Sequence, residues 1–289
     1  MKQRLVDLAF VFFIMLQLNK HVFDLKRPLI MGILNITPDS FSDGGQYLTL
    51  DEALKRAHQM IEEGVDIIDI GGESTRPGSE PVSADKELKR ITPIIEALKK
   101  KSDIAISVDT YKPQVMKVVI GMDVAMINDV YALSQPGAID IIKQSHVGVC
   151  LMHMQGMPKT MQENPHYTNV VSEVKLFLEA RANHLMSEGI DKSRIILDPG
   201  FGFGKTFEHN IELLQQLESF QTLKLPLLVG LSRKSFIRKI LNGDYDDHLS
   251  GSISAAIFSV IKGAKILRVH DVKETKSALK IINVAQGIA

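Results

Sequence analysis

One cysteine in 289 residues, Cys150, excludes an internal disulfide and fits a reducing, cytoplasmic setting. It lies in the apolar run Val147-Gly148-Val149-Cys150-Leu151, where a free thiol reads as a small buried hydrophobe. An excess of charge of either sign is missing too. Lys plus Arg total 34 and Asp plus Glu total 34, so the composition favours neither nucleic acid nor an anionic membrane as partner. No linker rich in Pro, Gly or Ser and no low-complexity tract divides the chain. No apolar run reaches the roughly 20 residues that span a bilayer. The N-terminal run Leu8–Leu18 follows Lys2 and Arg4 as in a signal peptide, but no small-x-small cleavage site comes after it. Residues 1–27 are therefore expected to be an extension packed on the body of the protein, or the product of a start codon placed too early. A single domain is expected over 28–289.

What is present is apolar material for a large core, 45% of the residues, and a rhythm. A short β-branched run, a polar loop and an amphipathic helix recur along the chain. The runs are Leu29–Leu34, Asp66–Ile70, Ile104–Val108, Val124–Ile127, Val147–Met152, Arg194–Leu197, Leu227–Val229 and Lys265–Val269. Helical patterns fall between them at Leu50–Glu63, Asp85–Lys100, Gln114–Gly121, Val170–Glu188, Asn210–Leu217, Ser252–Lys262 and Val272–Ala285. Strands that alternate with helices pair in parallel. Eight such units, with no G-x-G-x-x-G after the first run, predict an α/β fold closed as a (β/α)8 TIM barrel.

A barrel of this kind carries its chemistry at the C-terminal ends of its strands. Polar residues stand at each of those ends here: Asn35, the stretch Gly71–Gly78, Asp109, Asn128-Asp129, His153, Asp198-Pro199-Gly200, Ser232–Ser235 and Arg268–Asp271. Asp109, Asn128 and Asp198 offer hydrogen-bond acceptors suited to a flat ring rich in N–H and amino groups, such as guanine or a pterin. Lys234 can donate to a ring carbonyl or nitrogen. Arg268 and His270, beside Asn35, suit phosphate oxygens, and the Asn35 amide oxygen is a candidate ligand for Mg2+, which usually takes few protein ligands plus substrate phosphates. His153 has no H-x-H or carboxylate neighbour that would make a zinc site.

Two long polar loops, 37–45 and 72–81, are where lids arise in such barrels, and Phe41 suits closure over an aromatic substrate. The stretch Asp198-Pro199-Gly200-Phe201-Gly202-Phe203-Gly204-Lys205 ends like a phosphate-binding P-loop, but its spacing is wrong for one. Its glycines instead let backbone approach a flat ring, with Phe203 against the ring face.

The blocks Met31–Gly45, Gly71–Gly78, Ser107-Val108-Asp109-Thr110, Ile127-Asn128-Asp129-Val130, Met152–Pro158, Asp198–Lys205, Ser232–Ser235 and Arg268–Val272 closely resemble the dihydropteroate synthases, in family order from about residue 28 onward. The resemblance implies condensation of 6-hydroxymethyl-7,8-dihydropterin pyrophosphate with p-aminobenzoate, with Mg2+ as cofactor and a homodimer as assembly. It assigns the pterin to Asp109, Asn128, Asp198 and Lys234, lined by Met152, Gly202 and Phe203. Pyrophosphate falls to Asn35, Thr75, Arg76, Arg268 and His270, and p-aminobenzoate to Phe41, Thr75, Pro77, Lys234 and Ser235. Catalysis would rest on Lys234, Asp109, Arg268 and His270, with Asp43 helping to close the site. A pterin-binding methyltransferase domain and a catalytically silent pterin-binding paralogue are the alternatives. The methyltransferase would use no pyrophosphate, so the Arg268/His270 pair and the two lid loops speak against it, and the retained set of polar strand-end residues speaks against the silent paralogue.

Overall fold

The computed structural model describes residues 15–36, 50–74, 78–242 and 248–287. Eight parallel strands form one sheet: β3 (Leu29–Asn35), β4 (Ile67–Gly71), β5 (Ala105–Asp109), β6 (Met126–Asp129), β7 (Gly148–Met152), β8 (Ile195–Asp198), β9 (Leu228–Val229) and β10 (Ile266–Val269). They run in the order β8-β7-β6-β5-β4-β3-β10-β9. A parallel bridge between Leu197 and Leu227 joins the two outermost strands, and Leu197 N–H donates to Pro226 O at 2.9 Å. The barrel thus closes, and each of the eight expected strands is found within two residues of its expected ends.

The helices lie outside. Helix α1 (Leu50–Glu63) buries Ala53, Ala57 and Met60, which recur at the spacing of one helical face. Helix α2 (Ala84–Lys101) starts where the Ser83 side chain accepts from Lys86 N, carries Asp85 and Glu87 in its first turn, and ends on Lys99, Lys100 and Lys101. Those charges complement the helix dipole at both ends. Helices α3 (Pro113–Gly121), α5 (Val170–Ser187) and α9 (Val272–Ala285) follow the sequence pattern. Two short helices were not expected, α4 (Ala138–Lys143) and α7 (Ser235–Ile240), each too short to show a period. Helix α6 (Phe207–Gln215) begins three residues before the expected Asn210, because Thr206 and His209 form a capping box at its start. Helix α8 spans His248–Ile261.

Alternation along the strands separates two layers. Ile30, Leu34, Ile68, Ile70, Ile106, Val108, Val149, Leu151, Ile195, Leu197, Leu267 and Val269 face the helices. The intervening residues Leu29, Met31, Ile67, Ala105, Met126, Cys150, Ile196, Leu228 and Ile266 fill the barrel's lower interior, where Cys150 is a buried free thiol as expected. One inward step further along five of the eight strands the apolar filling stops. Asp69, Ser107, Asn128, Asp198 and Arg268 stand there, and this polar layer floors the mouth.

The lower end is sealed by a hairpin, β1 (Met15–Leu18) paired antiparallel with β2 (His21–Asp24). Leu16, Leu18 and Leu25 join the lower interior cluster. A Cβ on Gly148 would meet Leu18 Cδ2, so glycine here leaves the room in which this plug seats against β7. The hairpin is tied down by Asn19, whose N–H donates to His146 O at 3.0 Å and whose side chain donates to Asp123 Oδ1 at 2.6 Å and Val124 O at 3.1 Å. Met15–Leu18 is the end of the apolar run Leu8–Leu18, and it lies ahead of residue 28, where the domain was expected to start. Among the described residues no helix is long and apolar enough to cross a membrane.

Candidate active site

Register brings the site together. Asn35 pairs with Gly71, Gly71 with Asp109, and Asp109 with Asn128, so four adjacent strands end on one row. Gly71 is the gap in that row: a Cβ there would lie 2.9 Å from Asn35 Oδ1 and 3.7 Å from Asp109 Cβ. Across the mouth, Met152 pairs with Asp198.

Arg268 reaches from β10 past β3 to β4 and β5. Its Nε donates to Asp69 Oδ2 at 2.7 Å and its Nη2 to Asp109 Oδ2 at 2.8 Å. The same Asp69 oxygen accepts from Asn128 Nδ2 at 3.2 Å. Asp69 is fully buried, and its other oxygen has no hydrogen-bond partner among the described residues. Burial pushes the Asp109 carboxyl up to about 7; Arg268 pulls it down, while Asp69 adds to the rise. Burial also raises Asp198, whose Oδ1 accepts from Gly200 N–H at 2.7 Å. For Arg268, burial favours proton loss, but Asp69 and Asp109 outweigh it and the net shift is upward. Asp69 escaped the sequence reading. Its signal was available: a carboxylate inside the apolar run Ile67-Ile68-Asp69-Ile70, two residues before Gly71 and therefore on the same inward face.

The neighbouring strand ends supply the walls. At the end of β9, Arg233 adopts a left-handed backbone (φ 59°), its N–H held by Ser252 Oγ at 3.0 Å and its guanidinium by Asp271 at 2.6 Å. This turn presents Ser232 and Lys234 to the mouth. Ser232 Oγ lies 3.0 Å from His270 Nδ1 and accepts the His270 N–H at 3.3 Å. Lys234 Nζ sits 4.3 Å above the Phe203 ring, with its stem against Gly202. Ser235 opens α7 and is exposed. Asp129, by contrast, serves the backbone, accepting from Tyr131 N at 2.7 Å and Leu133 N at 2.9 Å.

Phe41, Asp43, Thr75, Arg76 and Pro77 lie outside the described residues. The stem that leads to residues 75–77 is described and firmly held. Glu73 is paired with Lys112 and accepts from Tyr111 Oη at 3.0 Å, Lys112 also pairs with Glu87 at 2.6 Å, and Arg90 donates to Gly72 O at 2.6 Å. Among the described residues no three His, Cys, Asp or Glu side chains are grouped to hold a metal ion. A lone amide oxygen at Asn35 suits a hard cation carried chiefly by water and substrate phosphates, and would not suffice for a resident ion.

Set against known proteins, the family described as pterin binding enzyme matches residues 31–270. A dihydropteroate synthase of Haemophilus influenzae is 50% identical over 263 residues, covering 91% of this chain and 96% of its own. One from Escherichia coli is 49% identical over 259 residues, covering 90% and 92%. Among solved structures, Yersinia pestis dihydropteroate synthase with a sulfonamide drug superimposes with a TM-score of 0.90 at 44% identity, over 94% of this chain and 99% of that one. The Xanthomonas albilineans enzyme in complex with 7,8-dihydropteroate gives 0.84 at 38% identity, over 96% and 100%.

Proposed function

Because this chain belongs to the dihydropteroate synthases, we propose that its barrel mouth divides the family's condensation among the residues just described. The reaction joins 6-hydroxymethyl-7,8-dihydropterin pyrophosphate to p-aminobenzoate, giving 7,8-dihydropteroate and pyrophosphate for folate biosynthesis; the enzyme is a transferase. Asp109, Asn128 and Asp198 accept the ring N–H and amino donors, Lys234 donates to the ring, and Met152, Gly202 and Phe203 enclose it. Arg268, with His270 and Asn35, holds the pyrophosphate, joined by Thr75 and Arg76. Phe41, Thr75, Pro77, Lys234 and Ser235 receive p-aminobenzoate, and Asp43 helps to close the site. Asn35 would hold Mg2+ together with the substrate's phosphates. When bound, that ion supplies charge neutralisation on the leaving group.

The observation that carries this reading is Arg268 Nη2 bonded to Asp109 Oδ2 at 2.8 Å, which puts a phosphate-type cation beside a ring-type acceptor. Pyrophosphate departs first in this scheme, leaving a pterin-stabilised methylene cation for the aminobenzoate nitrogen to attack. Arg268 and His270 stabilise the departing negative charge, and ionised Asp109 stabilises the cationic ring once Arg268 turns to the phosphates. A homodimer is supported by the apolar side chains left outward on α8 and α9, where Phe258, Ile261, Ile281 and Val284 are 39 to 74% exposed. A cytoplasmic setting is supported by the single reduced cysteine.

The test is pyrophosphate release measured with both substrates, alongside formation of dihydropteroate. Equal amounts of the two products are expected. Tight pterin binding with no turnover would instead identify a silent paralogue, and methyl transfer would identify the other alternative.

A further inference from the structure

Four backbone carbonyls of the loop after β8 accept from side chains, and one of them, Gly200 O, also takes the Phe203 N–H at 3.1 Å. Lys205 Nζ donates to Gly200 O at 2.9 Å and Phe203 O at 3.0 Å, Gln162 Nε2 donates to Gly202 O, and Tyr167 Oη donates to Gly204 O at 2.8 Å. Lys205 is the hub, with His153 Nδ1 at 3.0 Å and His153 O at 3.3 Å as further partners. It is 3% exposed, and His153 beside it is 7% exposed and packed edge-on against Phe177 at 5.0 Å. Burial first, then the neighbouring ammonium, holds the His153 imidazole down to about 3, so its Nδ1 is an acceptor for Lys205.

The loop could not sit here with other residues. Gly200, Gly202 and Gly204 all have positive φ, and a Cβ on Gly200 would lie 1.9 Å from His153 O and one on Gly204 2.2 Å from Gln155 O. The backbone therefore lies directly on the segment after β7, with Lys205 folded beneath it. Burial lowers the Lys205 amine to about 7, and an apolar side chain of the same length would fill the space without burying a charge. What an apolar side chain could not do is fix where Phe203 points, and Phe203 is the ring under Lys234 Nζ.

We propose that Lys205 is a positioning residue for the pterin substrate: from inside the loop it sets the wall formed by Gly202 and Phe203, and through Phe203 the height of Lys234. The inference rests on the pterin reading of the mouth, and turnover by the unaltered enzyme with both substrates tests that reading separately. Lys205→Met keeps the length and removes the donors; Lys205→Gln keeps two donors without the charge. Calorimetry with 6-hydroxymethyl-7,8-dihydropterin should show affinity about tenfold weaker in Lys205→Met and less weakened in Lys205→Gln, since each lost hydrogen bond is worth roughly two- to tenfold. The KM for p-aminobenzoate at saturating pterin pyrophosphate should rise less than the pterin affinity falls, because Lys234 is, among the described residues, the one assigned to that site that Phe203 touches. In a Phe203→Ala background the Lys205→Met effect should vanish, because the side chain through which it acts is gone. Unchanged pterin affinity, equal weakening of both substrates, or additivity with Phe203→Ala would each overturn the proposal. If neither Lys205 variant folds, Gln162→Ala decides, since it frees only the Gly202 carbonyl from an exposed side chain. It should weaken the pterin roughly threefold, and no change there overturns the proposal.

Discussion

The two ends of this barrel are built by the same eight strands and have opposite character. At the lower end the inward residues are Leu, Ile, Met, Ala and Cys, and a hairpin adds Leu16, Leu18 and Leu25 to the filling. One inward step higher, on five of the eight strands, they become Asp69, Ser107, Asn128, Asp198 and Arg268. The lower end gains stability from burying apolar surface. The upper end is less stable for its own sake, because it keeps charged groups from water and tolerates that only through close pairing. Alternation along a strand therefore allots support and chemistry to successive inward positions of one element. A ligand that completes the polar layer should stabilise the molecule at the expense of none of the apolar layer.

The sharpest break of that contrast is Arg268→Met. It leaves Asp69 and Asp109 facing each other without their shared cation, and removing one partner from a buried ion pair costs about 3–5 kcal/mol. Turnover should fall at least roughly 100-fold, as when one donor to a developing anion is lost. Urea unfolding and a pyrophosphate-release assay measure the two effects. Stability held at the unaltered value would show that Arg268 does not carry the charge balance of the mouth.

Leu18→Ala probes the other end. A buried Leu truncated to Ala loses about 2–5 kcal/mol, and denaturation should show it, while KM for either substrate in the folded enzyme stays as it was. A changed KM would mean that the two ends are mechanically coupled. Next in size is Asp198→Asn, which replaces a charged acceptor by a neutral one and should weaken pterin affinity about tenfold with stability little altered.

The remaining effect is a pH dependence. Asp109 titrates at about 7 in the folded chain against 3.8 in the unfolded one, so its protonated form is favoured by folding. The stability this gives is complete below about 3.8 and is lost as pH rises through 7. Asp109→Asn cannot lose it. The difference in Tm between Asp109→Asn and the unaltered chain should shift in favour of the variant between pH 4 and 7 and level off above, in the absence of ligand. Comparing two proteins at each pH cancels the titrations of groups that do not act on Asp109, such as His153. A difference that stays flat over this range would place the Asp109 carboxyl in its ordinary range.

The strands were legible because each is a short β-branched run bounded by polar residues, and their number implied closure. The mouth was legible for the same reason: Asn35, Asp109, Asn128, Asp198 and Arg268 stand where runs stop. Contacts between separate strands were not. The sequence reading placed Arg268 with His270 and Asn35, apart from the ring acceptors, yet its guanidinium spans Asp69 and Asp109. Residues 199 and 159 positions apart leave no local pattern of that meeting. Asp69 was hidden by its apolar neighbours, and Lys205 by a loop whose glycines drew attention to the ring they approach instead of to the carbonyls they turn inward. Helices α4 and α7 are six residues each, less than two turns, so no period could reveal them.

The hairpin at the lower end also has a bearing on the order of events during synthesis. Its Asn19 is anchored to Asp123 and Val124, 104 and 105 residues downstream, and to His146 beyond them. Gly148, against which Leu18 seats, emerges from the ribosome later still. The hairpin therefore has nowhere to dock until the segment 123–148 has followed it, and throughout that interval Leu16 and Leu18 are apolar side chains open to other nascent chains or to a chaperone. Closing so long a loop is slow because its entropy is lost before the contact is gained. Seating of this plug is thus expected among the last steps of folding, and in pulse-labelled refolding the amides of Leu16 and Leu18 should gain protection after those of β5 to β7.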